Sequence, residues 1–230
     1  MWKNPYIVGT IALCILAACG KGILAEYTLT LSPYGTEKHQ ELFSAVERVV
    51  QRRIASFKMD ATATVSPSGD DSATLALAFN DAQSKTVLTE GIERPFSFEI
   101  KSLATGITDL SKASLSDWRT TGVTNKDLLW VQAIGDRATG KVGVELLFSD
   151  EGRKRLSAVI ATLAKEGALK NAEAKPILGI FVRDVLISSL QVTDGILDSR
   201  IIVSGIPSPA IAQVFADDVN VGLHVTFTPR

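Results

Sequence analysis

Between Thr36 and Phe57 apolar side chains recur three and four residues apart, at Leu42, Val46, Val49, Val50, Ile54 and Phe57, while Glu47, Arg48, Arg52 and Arg53 fill the other face. That spacing is one side of an α-helix, and the stripe must cover a sheet. Sheet-forming segments flank it. Residues 26–31 (EYTLTL) alternate as a half-buried strand and run into the turn Ser32-Pro33-Tyr34-Gly35. ATATVS from Ala61 and SATLALAF from Ser72 predict two strands joined by the polar turn Pro67-Ser68-Gly69-Asp70-Asp71, hence a hairpin. A further strand fits residues 95–100. From 105 to 124 the chain is rich in Ser, Thr, Gly and Asp with weak periodicity, which marks a junction between two units.

The second unit repeats the mixture. LLWVQAIG from Leu128 and KVGVELLF from Lys141 predict strands, and Ser149 or Asp150 can cap a helix whose buried face holds Leu156, Val159, Ile160 and Leu163 and which ends at Gly167. Residues 177–182 and 185–192 form two apolar runs split by Arg183-Asp184. A charged pair at so short a reversal needs no more than solvent exposure and the local hydrogen bonding of Asp, so it predicts a hairpin turn. Residues 200–204 make another strand. Ser208-Pro209 is the favoured cap-then-proline start of a helix burying Ile211, Phe215 and Val219 and stopped by Gly222, after which 223–228 alternate as a last strand that returns to the first unit.

The N-terminus carries a different pattern. Lys3 precedes an apolar run of about 10 residues ending in Leu16-Ala17-Ala18-Cys19, too short for a spanning helix, which needs about 20. It predicts a cleaved secretory signal, residues 1–18. Leu16-Ala17-Ala18-Cys19 resembles the bacterial lipobox, with a branched residue three before the cut, two small ones, and the cysteine to be acylated. Cys14 follows Leu13 and does not fit. Acylated Cys19 would anchor the chain to a lipid bilayer, since acyl chains contribute about 0.8 kcal/mol per buried methylene and more than one makes attachment stable. Residues 19–25 are then a short tether. The mature chain has no second thiol, so no disulfide or paired-cysteine metal site forms within it. Gly20 is not the Asp that favours inner-membrane retention in many bacteria with two membranes, which leans the anchor toward the outer one.

Composition narrows the function classes. Of 230 residues, 46% are hydrophobic and 21% charged, enough to build one large or two small cores, and the net charge of −1 provides no basic footprint for nucleic acid. Catalytic patterns are weak. Gly135 to Lys141 has the spacing of a phosphate loop, but Val142 stands where the magnesium-binding hydroxyl belongs, and a strand follows. His39 and His224 are far apart and lack metal-ligand spacing. Asp70-Asp71 and Asp217-Asp218 are adjacent pairs, and neighbours on a helix point about 100° apart. Ser188-Ser189 has no nucleophile-elbow context. No enzyme activity, cofactor or metal is expected.

Several motifs in order carry a family resemblance. Phe148, Glu151, Gly152 and Leu156, then Ile180 to Asp184, then Val203-Ser204-Gly205, then Ala212, Phe215-Ala216, Val219 and Gly222-Leu223 resemble the first periplasmic domain of the SecD subunit of the bacterial preprotein translocase, and AVERVVQRRI from Ala45 is similar to an earlier helix of that family. The resemblance implies an α+β fold, a ferredoxin-like base with an inserted α+β head. Placed on this chain, the base covers 26–125, completed by 222–230, and the head covers 126–221. In the family the head engages translocating polypeptide. Here the membrane-spanning segments and their proton-carrying carboxylates are missing, Val185 stands in place of a usual Gly, and Gln191 in place of a common Pro, so transport activity of its own is not expected.

Two function classes follow. In the first the chain is a lipid-anchored, non-catalytic binding module of the bacterial envelope that meets extended polypeptide or an envelope protein partner by edge-strand addition and shallow apolar grooves, with Leu186, Leu190 and Val192 as candidate contacts from their place in the signature hairpin. In the second it is a structural or assembly lipoprotein that binds nothing unfolded. Oligomeric state is not legible.

Overall fold

The computed structural model describes residues 22–104, 110, 113–135, 142–169, 176–192 and 200–230, and of 166–169 and 200 the backbone only. The signal segment, Cys19 and residues 136–141 of the phosphate-loop-like stretch lie outside the described residues.

The protein is α+β. Strand β1 (Ile23–Leu31) leads through a short helical turn, α1 (Pro33–Thr36), into helix α2 (His39–Ser56), followed by the hairpin β2 (Ala61–Pro67) and β3 (Ser72–Phe79). The last elements are helix α5 (Pro209–His224) and strand β11 (Val225–Pro229). These strands form an antiparallel sheet in the order β11-β1-β3-β2, with Leu29 of β1 opposite Phe227 on one side and Ala73 on the other. That order, with α2 after the first strand and α5 before the last, is the ferredoxin-like split βαβ arrangement, and everything between β3 and α5 is an insertion. Alternation along β1 and β3 sends Tyr27, Leu29, Leu31, Ala73, Leu75, Leu77 and Phe79 into one core with Leu42, Val46, Val49 and Val50 of α2. The opposite face is polar, with Thr28 between Thr228 and Thr74 and Thr30 between Thr226 and Ser72.

The insertion begins with helix α3 (Ala82–Glu93) and contains two sheets and a long helix. Strands β4 (Phe98–Leu103), β5 (Trp118–Thr124), β8 (Ile177–Val182) and β9 (Val185–Gln191) form an antiparallel sheet in the order β5-β4-β8-β9, and β6 (Leu128–Gly135), β7 (Val142–Phe148) and β10 (Arg200–Ser204) form a second, β10-β7-β6. Helix α4 (Asp150–Leu169) closes the shared core with Leu156, Ile160 and Leu163, against Ile100, Val131, Leu146, Leu178 and Ile180. Its start is the one expected, Ser149 Oγ accepting the Gly152 N–H at 3.0 Å. A small cluster on the far face of the first head sheet holds Leu103, Trp118, Ile177 and Phe181. Gly179 makes room for it, because a Cβ there would lie 2.5 Å from the Trp118 ring.

Several expectations are revised. Residues 82–93, assigned no element from the sequence, are α3: Asp81 caps it by accepting the Ser84 N–H at 2.7 Å, and Leu88 and Ile92, one turn apart, are its only buried contacts. So narrow a stripe leaves little periodic signal. The 95–100 segment, read as base, is β4 and pairs with β8 in the head. The stretch 105–124, read as a junction, contains β5, whose Ser/Thr/Gly-rich outer face hides the two buried positions, Trp118 and Val123. The helix expected from Thr36 breaks, and its continuous part starts at His39.

The last helix departs most. Gly222 does not stop it: α5 runs to His224, and Gly222 is needed because a Cβ would sit 2.2 Å from the Phe96 ring. Its buried face is Ala212, Ala216 and Val219 toward the head and Val221 toward the base core, while Ile211 is exposed and Phe215 half-buried. Although read as head, α5 packs along α2 and against β6. His224, expected in a strand, is its last residue.

Candidate functional site

Among the described residues, two kinds of surface can meet another molecule by known means: the sheet edges, and the seam between base and head. The two head sheets treat their edges differently. β6 ends one sheet, and α5 covers it: Asn220 Oδ1 accepts the Val131 N–H at 2.9 Å, Asn220 Nδ2 donates to the Val131 carbonyl at 2.6 Å, and His224 Nε2 donates to the Leu129 carbonyl at 2.7 Å. Side chains there satisfy the backbone that a neighbouring strand would otherwise satisfy.

β9 ends the other sheet, and among the described residues no side chain takes this part and β8 is its only strand partner. On it Val185, Leu186 and Ile187 are 60, 38 and 47% exposed in succession. Strict alternation would bury at least one of three consecutive residues. It fails because the register shifts: Leu186 lies opposite Phe181 and Ser188 opposite Ile180, leaving Ile187 as the extra residue of a β-bulge. An apolar, uncharged edge is what soluble proteins ordinarily avoid, because its free N–H and C=O groups template another strand.

The hairpin turn is now resolved. Arg183 and Asp184 have φ of 49° and 64°, both in the left-handed region, which is the two-residue turn whose twist matches the flanking strands. Neither is the Asn or Gly usual there. Solvent exposure accounts for Asp184 but not for Arg183, which is half-buried and whose guanidinium turns back to the seam; this corrects the reading of the pair as simply solvated.

Of the sequence candidates, Leu186 lies on the open edge, Leu190 packs partly against the head core, and Val192 is 7% exposed and belongs to that core. Val192 is therefore not a surface contact. Val185 and Ile187 were missed; the signal was available in the apolar run, but which side faced out depended on the bulge. Cys19 lies outside the described residues.

The seam is polar and highly organised. Asp217 of α5, 2% exposed by side chain, accepts from Arg48 Nε and Nη2 at 2.9 and 2.7 Å, from Arg52 Nη1 at 2.9 Å and from Gln213 Nε2 at 2.8 Å. Burial pushes its carboxyl up, but the bonds from Arg48, Gln213 and Arg52 outweigh this and leave it below the usual carboxylate range. Asp218, one residue on, points to another side; burial raises it despite Arg53, Arg52 and Arg183 nearby. Burial lowers the proton affinity of His224, which stacks on Trp130 with centroids 5.6 Å apart and, donating at Nε2, accepts at Nδ1 from Ser32 Oγ at 2.8 Å. Among the described residues no cluster of three His, Cys, Asp or Glu side chains could hold a metal, and no helix is long and apolar enough to cross a membrane.

The fold thus defines an α+β protein with a ferredoxin-like base and a two-sheet head, in which β9 is an apolar edge strand. Comparison with known proteins finds no matching family model and no matching curated protein. Among solved structures the chain is similar to SecDF in a super-membrane-facing form (16% identity, TM-score 0.49, covering 90% of this chain and 30% of that one). It is also similar to SecDF from Thermus thermophilus, a translocon-associated membrane protein (16%, TM-score 0.46, 91% and 30%). A third chain, from a study of SecDF as a membrane component that enhances protein export, gives 15% and a TM-score of 0.48, with 89% and 97% covered. The chain spans under a third of the length of the first two.

Proposed function

We propose that this protein is a non-catalytic binding module of the bacterial envelope, held to a membrane by acylated Cys19, that captures extended polypeptide on the free edge of β9. The observation that carries the reading is the contrast between the two edges: α5 satisfies β6, whereas β9 presents Val185, Leu186 and Ile187 beside unpaired backbone. Main-chain bonds along the added strand supply affinity without regard to sequence, and the apolar side chains favour segments that a folded protein would have buried. The motif resemblance to the SecD periplasmic domain supports a role linked to polypeptide translocation.

The test is capture of an unfolded secretory protein against its folded form, by the wild type and by Ile187→Lys. A lysine on an edge strand opposes pairing without entering the core. Selective capture of the unfolded chain, lost in the variant at unchanged thermal stability, supports the reading; equal capture by both proteins removes β9 from it. The anchor is tested separately, by fatty-acid labelling of the wild type and of Cys19→Ala.

A further inference from the structure

Between the C-terminal end of α2, the start of β4, the β8–β9 turn and the end of α5 lies a cleft of about 230 Å³, distinct from the β9 edge. Its lining is mixed, with Val50, Phe96, Val221 and Phe227 supplying apolar surface. Its charged lining is unbalanced: Arg53, Arg94 and Arg183 against Glu93 and Asp218. Glu93 already accepts the Tyr27 hydroxyl at 2.8 Å. Among the described residues Asp218 has one ion pair, a long one of 3.9 Å to Arg52. Arg53 donates Nη1 to the Gly91 carbonyl at 2.9 Å, which fixes its guanidinium at the cleft.

Arg183 is the unexplained member. It occupies a left-handed turn position that ordinary side chains avoid, and its Nε–H is buried without a hydrogen-bond partner among the described residues. A buried donor left unsatisfied carries the cost of its lost hydration. Arg53 feels the same imbalance: burial first, then the Arg183 charge, lowers its proton affinity. Asp218 lies near both guanidinium groups, but among the described residues no hydrogen bond or ion pair joins it to either, and the Arg183 Nε–H is left as an orphan donor beside the cleft.

We propose that this cleft binds a carboxylate carried on an apolar body, the oxyanion held by Arg183 and Arg53 and the apolar part by Val50, Phe96 and Phe227. The Arg183 fork matches a carboxylate geometrically, and the apolar part of the lining disfavours a free, strongly hydrated anion. Such a group is found both at a polypeptide C-terminus ending in an apolar residue and on a free apolar acid.

The experiment uses the full-length chain and follows backbone amide resonances during titration with N-acetyl-leucine, its neutral amide, inorganic phosphate, and a five-residue peptide ending in leucine. N-acetyl-leucine is expected to shift Arg53, Arg183 and Asp218, and the neutral amide to bind about tenfold more weakly or worse, the loss expected for charge-assisted bonds. Arg183→Gln should weaken binding to the same extent, while Asp218→Asn, removing the competing negative charge, should tighten it several-fold, a gain that no folding defect produces. Peptide binding well above that of N-acetyl-leucine identifies a polypeptide end as the source; equal binding identifies a small acid. Equal binding of the amide, preferred binding of phosphate, or indifference to both substitutions overturns the proposal. Loss of β9 capture in Ile187→Lys with these titrations unchanged would show the two sites to be separate.

Discussion

Replacing Asp217 by Ala tests whether the seam is held by its buried ion cluster. The carboxylate accepts four hydrogen bonds from α2 and α5 side chains, and its removal leaves Arg48 and Arg52 facing a cavity, Arg52 with only its long 3.9 Å ion pair to Asp218. Breaking a fully buried pair from one side costs about 3–5 kcal/mol. Here the acid is buried but Arg48 and Arg52 are 41 and 31% exposed by side chain, so water reaches the stranded cations and part of the penalty is screened. The loss is therefore about 2–3 kcal/mol, or about 4–12 °C in Tm for a chain of this size. Urea unfolding at pH 7 measures it. The pH dependence supplies a second reading. Because the folded carboxyl sits below its ordinary value, its contribution is complete above the unfolded pKa near 4 and is lost as pH falls through the lower folded value. The variant should lack that part of the acid limb. An unchanged midpoint, or a double mutant with Arg48→Met whose losses simply add, would refute the coupling.

Four further outcomes follow from the geometry. His224→Phe keeps the ring on Trp130 but removes both hydrogen bonds, and should cost about 1–3 kcal/mol by thermal unfolding at neutral pH. In the wild type, protonation of His224 opposes folding, so stability should fall as pH drops below about 6.5 toward the depressed folded value, and His224→Phe should flatten that window. Gly222→Ala gains up to about 1 kcal/mol of helix propensity but drives a methyl into Phe96, and should be net destabilising by about 1–2 kcal/mol, reversed in sign in a Phe96→Ala background. Asp184→Gly relieves a left-handed residue on the exposed side of the turn and should raise stability by about 0.5–1 kcal/mol, read from the urea midpoint.

Local patterns were legible where one face decided the element. The α2 stripe from Leu42 to Val50, the β2–β3 hairpin, the Ser149 cap of α4 and the Ser208-Pro209 start of α5 follow from spacing and capping chemistry, and the structure has them, whereas Phe57, expected on the stripe, caps α2 and is exposed. What spacing does not carry is the partner of each strand. β4 has the same alternation whether it pairs in the base or the head, and only the contact with β8, some 80 positions on, decides. The site suffers from the same gap. The apolar run Val185-Leu186-Ile187 is visible in the sequence, but its exposure depends on a bulge against β8, so Val192 could not be separated from Leu186 by pattern alone.

α5 shows why base and head should be read together. Its small residues Ala212 and Ala216 let the head core approach closely, Val221 enters the base core, and Asp217, Asn220 and His224 each spend their polar groups on a different neighbour: α2, β6, and β6 with the Ser32 turn. One helix thus closes the ferredoxin-like sheet and seals the β6 edge at the same time. Among the described residues no helix does the same for β9, which ends the other sheet and whose Arg183 turn reaches the seam. Strand addition at β9 would extend that sheet without displacing α5 or either core.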